Sequence, residues 1–166
     1  MQVAAFVLLG LWFFRLREGF SGQTALIARW GLWAGFALSV AGICITLYYS
    51  EVLGFAPCSW CWVQRIFLYS QAVVFALALC KRDTRIADYS IALSICGAIV
   101  ALYQHYLQMG GSSVLPCPAD ITKADCATRF LFEFGYITFP LMAFSLFAFL
   151  IVLMLFVRDS RYRLSN

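Results

Sequence analysis

Charge is what this sequence has least of. Only 12% of its 166 residues are Asp, Glu, Lys or Arg, about half the share of an ordinary soluble domain. Beside that shortage stand a hydrophobic content of 63% and a mean hydropathy of +0.85. Together they exclude an ordinary soluble globule and mark an integral membrane protein. The net charge of +4 does not point to nucleic acid, because the basic residues form no single patch. They sit at the ends of hydrophobic runs, as membrane topology places them. The first residues lack both a basic leader region and an A-x-A site, so they do not read as a cleaved signal peptide.

What is present is a set of apolar runs. Four are long enough to cross a bilayer as helices, which takes about 20 apolar residues: Trp30 to Tyr49, Trp60 to Cys80, Ile86 to Leu107 and Ile137 to Val157. Pro140 falls in the first turn of the last run, where a missing N–H costs a helix least. Apolar residues run all round these segments, the pattern of helices in lipid. Met1 to Phe14 is also mostly apolar but makes a helix of only about 21 Å, short for a core of about 30 Å. The expected fold is an all-α membrane protein: a four-transmembrane-helix bundle with an additional short N-terminal hydrophobic helix. Residues 1–29 form an N-terminal segment and cytoplasmic linker, 30–157 the membrane core, and 158–166 a cytoplasmic tail.

The charges divide by side. Arg15, Arg17, Arg29, Lys81, Arg82, Arg85, Arg158, Arg161 and Arg163 flank one set of helix ends, against Glu18, Asp83 and Asp159. The opposite connections, 50–59 and 108–136, hold only Lys123 and Arg129 against Glu51, Asp120, Asp125 and Glu133. The positive-inside rule places the first set in the cytoplasm and the two connections outside.

Four of the seven cysteines then lie on the oxidising side, where disulfides persist. Cys58 and Cys61, in "PCSWCWVQR", stand at the start of the second span. Unpaired N–H groups and the positive end of the helix dipole point at their sulfurs there, which lowers a thiol pKa and favours the nucleophilic thiolate. A short disulfide that only closes a turn is the blander possibility. Cys117 lies between Pro116 and Pro118 after the flexible "GGSS" tract, exposed and movable enough to meet another protein. Cys126 can close a loop with it, as a reactive pair or as a static staple. Cys44, Cys80 and Cys96 fall within or at the ends of spans and read as small buried hydrophobes.

Two further residues stand out. Arg65 follows Cys61 by four positions, on about the same helix face, at the outer end where basic residues are disfavoured. Snorkelling to the headgroups is its bland alternative. His105, the only histidine, lies in "LYQHYLQ" near the outer end of the third span, at the depth of Cys61 and Arg65. It reads as a polar helix contact or a proton carrier. With the thiols, Arg65 and His105 make a place for a small hydrophobic electron acceptor with polar oxygens. Phe130, Phe132, Phe134 and Tyr136 read as an interfacial aromatic strip.

"CSWCWVQRIF", "YQHYLQ", "PCPADITKADC" and "EFGYITFPLMA", in this order, resemble the disulfide bond formation protein B family, most of all its shorter BdbC-like branch, over about Trp30 to Val157. The resemblance implies a quinone-dependent thiol oxidase of the bacterial plasma membrane, with its redox loops facing the periplasm or cell exterior. Its partner is a soluble thioredoxin-fold, DsbA-like thiol oxidase, and its cofactor ubiquinone or menaquinone. Cys58 and Cys61 would pass electrons to the quinone, with Cys61, Arg65 and His105 binding it; Cys117 would be attacked by the partner and Cys126 would resolve the mixed disulfide. Only eight residues separate Cys117 from Cys126, fewer than in the proteobacterial members, and a shorter loop has less reach toward Cys58.

Three other readings remain at this point, one of them a purely structural membrane protein with two disulfide staples. The four outer cysteines could together make an all-thiolate zinc or copper site, although a cation such as Arg65 is unhelpful beside a metal. A reductase of the vitamin K epoxide type shares two outer pairs and a quinone, but carries its C-x-x-C after the loop pair.

Overall fold

The computed structural model describes residues 21–81, 83, 85–115, 117, 125–128 and 137–165, the side chains of 21–29 and 161–165 excepted. Four long helices follow in order: α1 (Ser21–Leu47), α2 (Ser59–Lys81), α3 (Ile86–Gln108) and α4 (Phe139–Ser165). A π-helical turn, Tyr48–Val52, continues α1. The stretches apolar enough to cross a membrane are Trp30–Val52, Ser59–Lys81, Ile86–Gln108 and Phe139–Ser160, so the four expected spans are all present. A helix of 23 residues is about 35 Å long, enough for the hydrocarbon core. The chain is an all-helical, multi-pass membrane protein. Its first and last helices run past the expected spans, to Ser21 and Ser165. The short helix expected over residues 1–14 and the aromatic strip at Phe130, Phe132, Phe134 and Tyr136 lie outside the described residues.

The helices pack as a ring, α1 on α2, α2 on α3, α3 on α4 and α4 back on α1, with the most extensive contact between α3 and α4. The core is filled mainly by α2 and α4: Phe75, Phe147, Leu150 and Met154 are essentially inaccessible. What α3 contributes is small or polar, with Ser90, Ser94, Gly97, Ala98 and Ala101 on its buried face. In lipid, packing holds helices together without a hydrophobic drive between them, and small residues let backbones approach. A Cβ on Gly97 would lie 2.6 Å from Phe147 Cζ, so the α3–α4 seam needs glycine there. Among the described residues, buried side-chain polar groups are paired, Trp60 Nε1 excepted. Gln71, fully buried, donates to the Ser90 carbonyl (2.8 Å) and Ser94 Oγ (2.5 Å) and accepts from Ser90 Oγ (2.8 Å). Ile66, Val73, Leu77, Ile95, Ile99 and Leu102 face outward, as lipid-facing positions must.

One sequence reading is corrected here. Cys44, Cys80 and Cys96 are exposed on the bundle exterior and not buried within it. A thiol is apolar enough to face lipid as readily as a core, so its burial preference in soluble proteins does not transfer.

The helix ends that carry the cysteines are closely specified. Cys58 is the N-cap of α2: its carbonyl accepts from Trp62 N (3.2 Å) and its sulfur accepts from Cys61 N (3.2 Å), the place a Ser or Asp oxygen usually fills. Thr138 caps α4 in the same way, its Oγ1 accepting from Leu141 N at 3.4 Å. α3 ends in a Schellman motif: Gly111 N donates to the Tyr106 carbonyl (3.0 Å) and Gly110 N to that of Leu107 (3.1 Å). Gly110 has φ 95°, the left-handed conformation that the motif requires and glycine adopts without strain. At the opposite end, the Arg158–Asp88 pair (3.7 Å) is exposed on both sides and adds little.

Candidate active site

The cysteine end of the bundle brings both pairs into one cluster. Cys58, Leu107 and Cys126 are its buried members, and Trp60, Cys61, Tyr103 and Cys117 pack against them. Cys117 and Cys126 are joined as a disulfide, with Cα atoms 6.2 Å apart. Cys58 Sγ and Cys61 Sγ lie 2.6 Å apart, so closing them into a disulfide asks little of the backbone. Cys126 is 1% exposed and Cys58 2%, whereas Cys117 remains partly accessible. The short loop therefore does reach the second pair.

It does so because the last turns of α3 hold it. Gln108 Nε2 donates to the Thr128 carbonyl at 3.0 Å. Asp125 folds the turn around Cys126, with Thr128 N on its carbonyl (3.0 Å) and Ala127 N on its Oδ1 (3.3 Å). On the near side of the loop, Leu115 N donates to Tyr103 Oη at 2.9 Å. Tyr103 in turn meets Trp60 edge to face, centroids 5.3 Å apart.

The sulfurs have a polar neighbour that the sequence reading passed over. Gln104, 1% exposed, directs Nε2 at Cys58 Sγ (3.0 Å) and Cys61 Sγ (3.2 Å). Its Oε1 accepts from Gln64 Nε2 at 2.6 Å. The signal was in the spacing. Ser90, Ser94, Gly97, Ala101, Gln104 and Gln108 recur at three- and four-residue intervals on the buried face of α3. In a membrane helix a small and polar stripe marks the inside.

The expected lowering of thiol pKa at a helix start does not hold for Cys58. Its hydrogen bond with Cys61, then burial, push its pKa well above the ordinary thiol range. Backbone N–H groups of Cys61 and Trp60 act the other way and lose.

Arg65 is 8% exposed and does not snorkel. Its Nη2 donates to the Thr46 carbonyl (2.8 Å) at the end of α1, and its guanidinium lies 5.2 Å over the Trp62 ring. A cation at a helix C-terminus meets the negative end of the dipole, and the π turn that follows Leu47 widens the helix there. Such turns are frequent at functional sites. His105 takes a different seam. Its Nδ1 pairs with Thr138 Oγ1 at 2.9 Å, across α3 and α4, while Arg65 bonds across α1 and α2. His105 also lines an open apolar groove of about 620 Å³ with Ile99, Leu102, Tyr103, Tyr106 and Met109. The structure thus joins Cys58, Cys61, Cys117 and Cys126 in one cluster and places Arg65 one turn from Cys61, whereas His105 lies apart from them on the α3–α4 seam.

Comparison with known proteins matches this arrangement. The family model described as disulfide bond formation protein DsbB fits residues 28–157. The chain is 30% identical over 133 residues to disulfide bond formation protein C of Bacillus subtilis, covering 78% of this chain and 94% of that one. It is 34% identical to the probable disulfide formation protein C of Bacillus cereus, over 73% of this chain and 82% of the other. It is also 38% identical to the SPbeta prophage-derived disulfide bond formation protein B of Bacillus subtilis, over 68% and 75%. No solved structure gives a significant match. With the family model covering most of the chain and relatives at 30% identity or more, the chain belongs to the DsbB family of disulfide bond formation proteins, membrane thiol oxidoreductases, on its BdbC-like branch.

Proposed function

We propose that this protein oxidises the dithiol of a soluble thioredoxin-fold partner outside the bacterial plasma membrane and passes the electrons, through its two cysteine pairs, to a membrane quinone. The observation that carries the reading is the shared cluster in which the loop cysteine Cys126 and the helix cysteine Cys58 are both buried. Two staples with no common purpose have no reason to pack together.

The sequence of exchanges follows from exposure. Cys117 is the accessible member of the loop pair, so the partner's thiolate attacks Cys117 Sγ. The Cys117–Cys126 bond breaks and Cys126 leaves as a thiolate beside Cys58. That thiolate attacks Cys58 of the helix disulfide and releases Cys61 as a thiolate. The partner's second thiol then displaces Cys117, closing the partner's own disulfide. Cys117 next displaces Cys58 from Cys126, restoring the loop disulfide. Two electrons and two protons have moved from the partner to Cys58 and Cys61, and no bond is left unpaired. Burial of the junction keeps water and stray thiols away, and proximity makes the exchange between the pairs intramolecular.

The residues at this end fit a quinone, which presents hydrogen-bond-accepting oxygens on an apolar ring and tail. Arg65 uses one of its N–H groups on Thr46, and Trp60 Nε1 is buried with no acceptor among the described residues. The apolar groove lies alongside. Arg65, His105 and Cys61 would hold the quinone, ubiquinone or menaquinone, which when bound supplies the two-electron sink. Arg65 is placed to steady negative charge that develops next to Cys61. The rival four-cysteine metal site is disfavoured because Cys117 and Cys126 are bonded to each other and offer no thiolates.

Quinone absorbance during turnover tests the proposal. The parent, mixed with a reduced thioredoxin-fold dithiol and a soluble quinone, should consume quinone, and Cys61→Ser and Cys117→Ser should not. A folded parent that consumes neither a ubiquinone nor a menaquinone analogue refutes it.

A further inference from the structure

Among the described residues, Gln104 is the side chain hydrogen-bonded to both sulfurs of the helix pair, and both ends of its amide are engaged. Nε2 donates to Cys58 Sγ and Cys61 Sγ, at 3.0 and 3.2 Å, and Oε1 takes the hydrogen bond from Gln64 Nε2. With Gln64 Nε2 donating, Gln104 presents its oxygen to Gln64 and its nitrogen to the sulfurs; turning Gln104 alone would set nitrogen against nitrogen, so the two amides are oriented as a pair. Gln64 and Gln104 lie on different helices, α2 and α3, so the orientation is built by the packing of the bundle.

We propose that Gln104 is a catalytic hydrogen-bond donor of the Cys58–Cys61 centre, aimed by Gln64, and that it stabilises the reduced pair so that electrons run from the loop pair into the helix pair. This rests on the relay proposed above and assigns its direction. When the loop pair gives up two electrons, the Cys58–Cys61 bond breaks and the Cys117–Cys126 bond forms. The two protons lost by the loop thiols are matched by those that Cys58 and Cys61 gain, or by one proton and one retained negative charge. A disulfide sulfur is a poor acceptor and gains little from an N–H. A thiolate is a strong one, and hydrogen bonds to ionised groups are roughly twice as strong as neutral ones. The amide therefore acts on the reduced form and hardly on the oxidised form. Stabilising the reduced form is what makes a dithiol–disulfide pair a stronger oxidant.

The choice of an amide has a physical reason. At 1% exposure a second cation beside Arg65 would have to be desolvated without a partner, at a heavy cost. A glutamine supplies two donors with no net charge. It also faces both sulfurs, so it serves whichever one leaves: Cys61 when Cys58 is attacked, and Cys58 when the mixed disulfide resolves.

The test is a redox equilibrium that needs neither partner nor quinone. Full-length protein carrying Cys117→Ser and Cys126→Ser, in lipid nanodiscs, is equilibrated with mixtures of reduced and oxidised glutathione. The state of the peptide bearing Cys58 and Cys61 is then read by alkylation and mass. Gln104→Met should lower the equilibrium constant for reduction by about tenfold, or about 30 mV for this two-electron couple. Gln64→Met should move it the same way by less, since the amide stays but is no longer aimed. A purely structural clamp between α2 and α3 would change thermal stability and leave the potential in place. A folded Gln104→Met protein with the parent's potential overturns the proposal. If that variant does not fold, a parent-like potential in Gln64→Met overturns it instead. A parent that never reduces quinone would sink the proposed function and leave this equilibrium to be read on its own.

Discussion

Gly97→Ala sets two physical effects against each other, and the structure decides between them. In a helix interior alanine is favoured over glycine by about 0.8–1 kcal/mol, so an unpacked site would gain stability. At Gly97 the added Cβ would meet Phe147 Cζ, Cε1 and Cε2 at 2.6, 2.7 and 2.8 Å. Carbon atoms at rest sit about 3.5–4.0 Å apart, so the ring must retreat by roughly 1 Å. It has nowhere to go: Phe147 is 1% exposed and shares the core with Leu150 and Met154. Forcing an extra methyl into such a site costs about 1–3 kcal/mol, which exceeds the helix gain at most of that range. The expected outcome is a net loss of about 1 kcal/mol.

Reversible unfolding in mixed micelles, followed by tryptophan fluorescence, would measure it. Phe147→Leu made in the same chain should relieve the clash, so the double variant loses less than the sum of the two singles by about 1 kcal/mol or more. A Gly97→Ala protein as stable as the parent, or additive losses in the pair, would refute the packing argument for the α3–α4 seam. The consequence for function is indirect. Gln104 stands seven residues along the same helix, roughly 10 Å, so a displaced α3 carries the sulfur contacts with it and should slow quinone reduction as well.

Two other perturbations test the site. Arg65→Met removes the guanidinium beside Cys61; a hydrogen bond to a charged group is worth about 1.5–3 kcal/mol, so kcat/KM for a soluble quinone should fall by about tenfold or more, and an unchanged value would remove Arg65 from the quinone site. Gln108→Leu frees the Thr128 carbonyl and costs the docked loop about 1 kcal/mol, so acid-quenched thiol trapping should find electron transfer between the pairs slowed by up to about fivefold while the partner's attack on Cys117 keeps its rate; a slowed first attack would place Gln108 elsewhere in the cycle.

The four spans were legible because length and lack of charge are enough to define a helix in lipid. Trp60 to Cys80 became Ser59–Lys81, and Ile86 to Leu107 became Ile86–Gln108. The thiol pair at the start of α2 was legible too, since a C-x-x-C beside a turn announces a helix N-terminus. What could not be read was which faces meet. His105 drew attention as the only histidine, yet it lies at the edge of the buried stripe of α3, about 100° round the helix from Gln104, and pairs with Thr138 at the start of α4. Gln104 and Gln108 lie on that stripe, and their partners at Cys58, Cys61 and Thr128 are 20 to 46 residues away in sequence. Periodicity can say that a residue is inside a bundle. It cannot say which neighbour it meets there.

The short loop shows why that matters. Eight residues between two cysteines are a handicap if the loop must swing across the membrane surface to find its target. Here the described ends of the loop are already held against the helix pair, because the last turns of α3 contact both. Gln104 touches the helix sulfurs, Leu107 packs with Cys58 and Cys126, Gln108 fastens the far arm of the loop, and Tyr103 holds its near arm. One stretch of helix thus sets the separation of the two cysteine pairs, and on the proposed relay Cys117, the accessible end, is where the partner attacks. On this geometry reach is replaced by docking. Lengthening the loop without loosening Gln108 should then leave the rate of exchange between the pairs nearly unchanged.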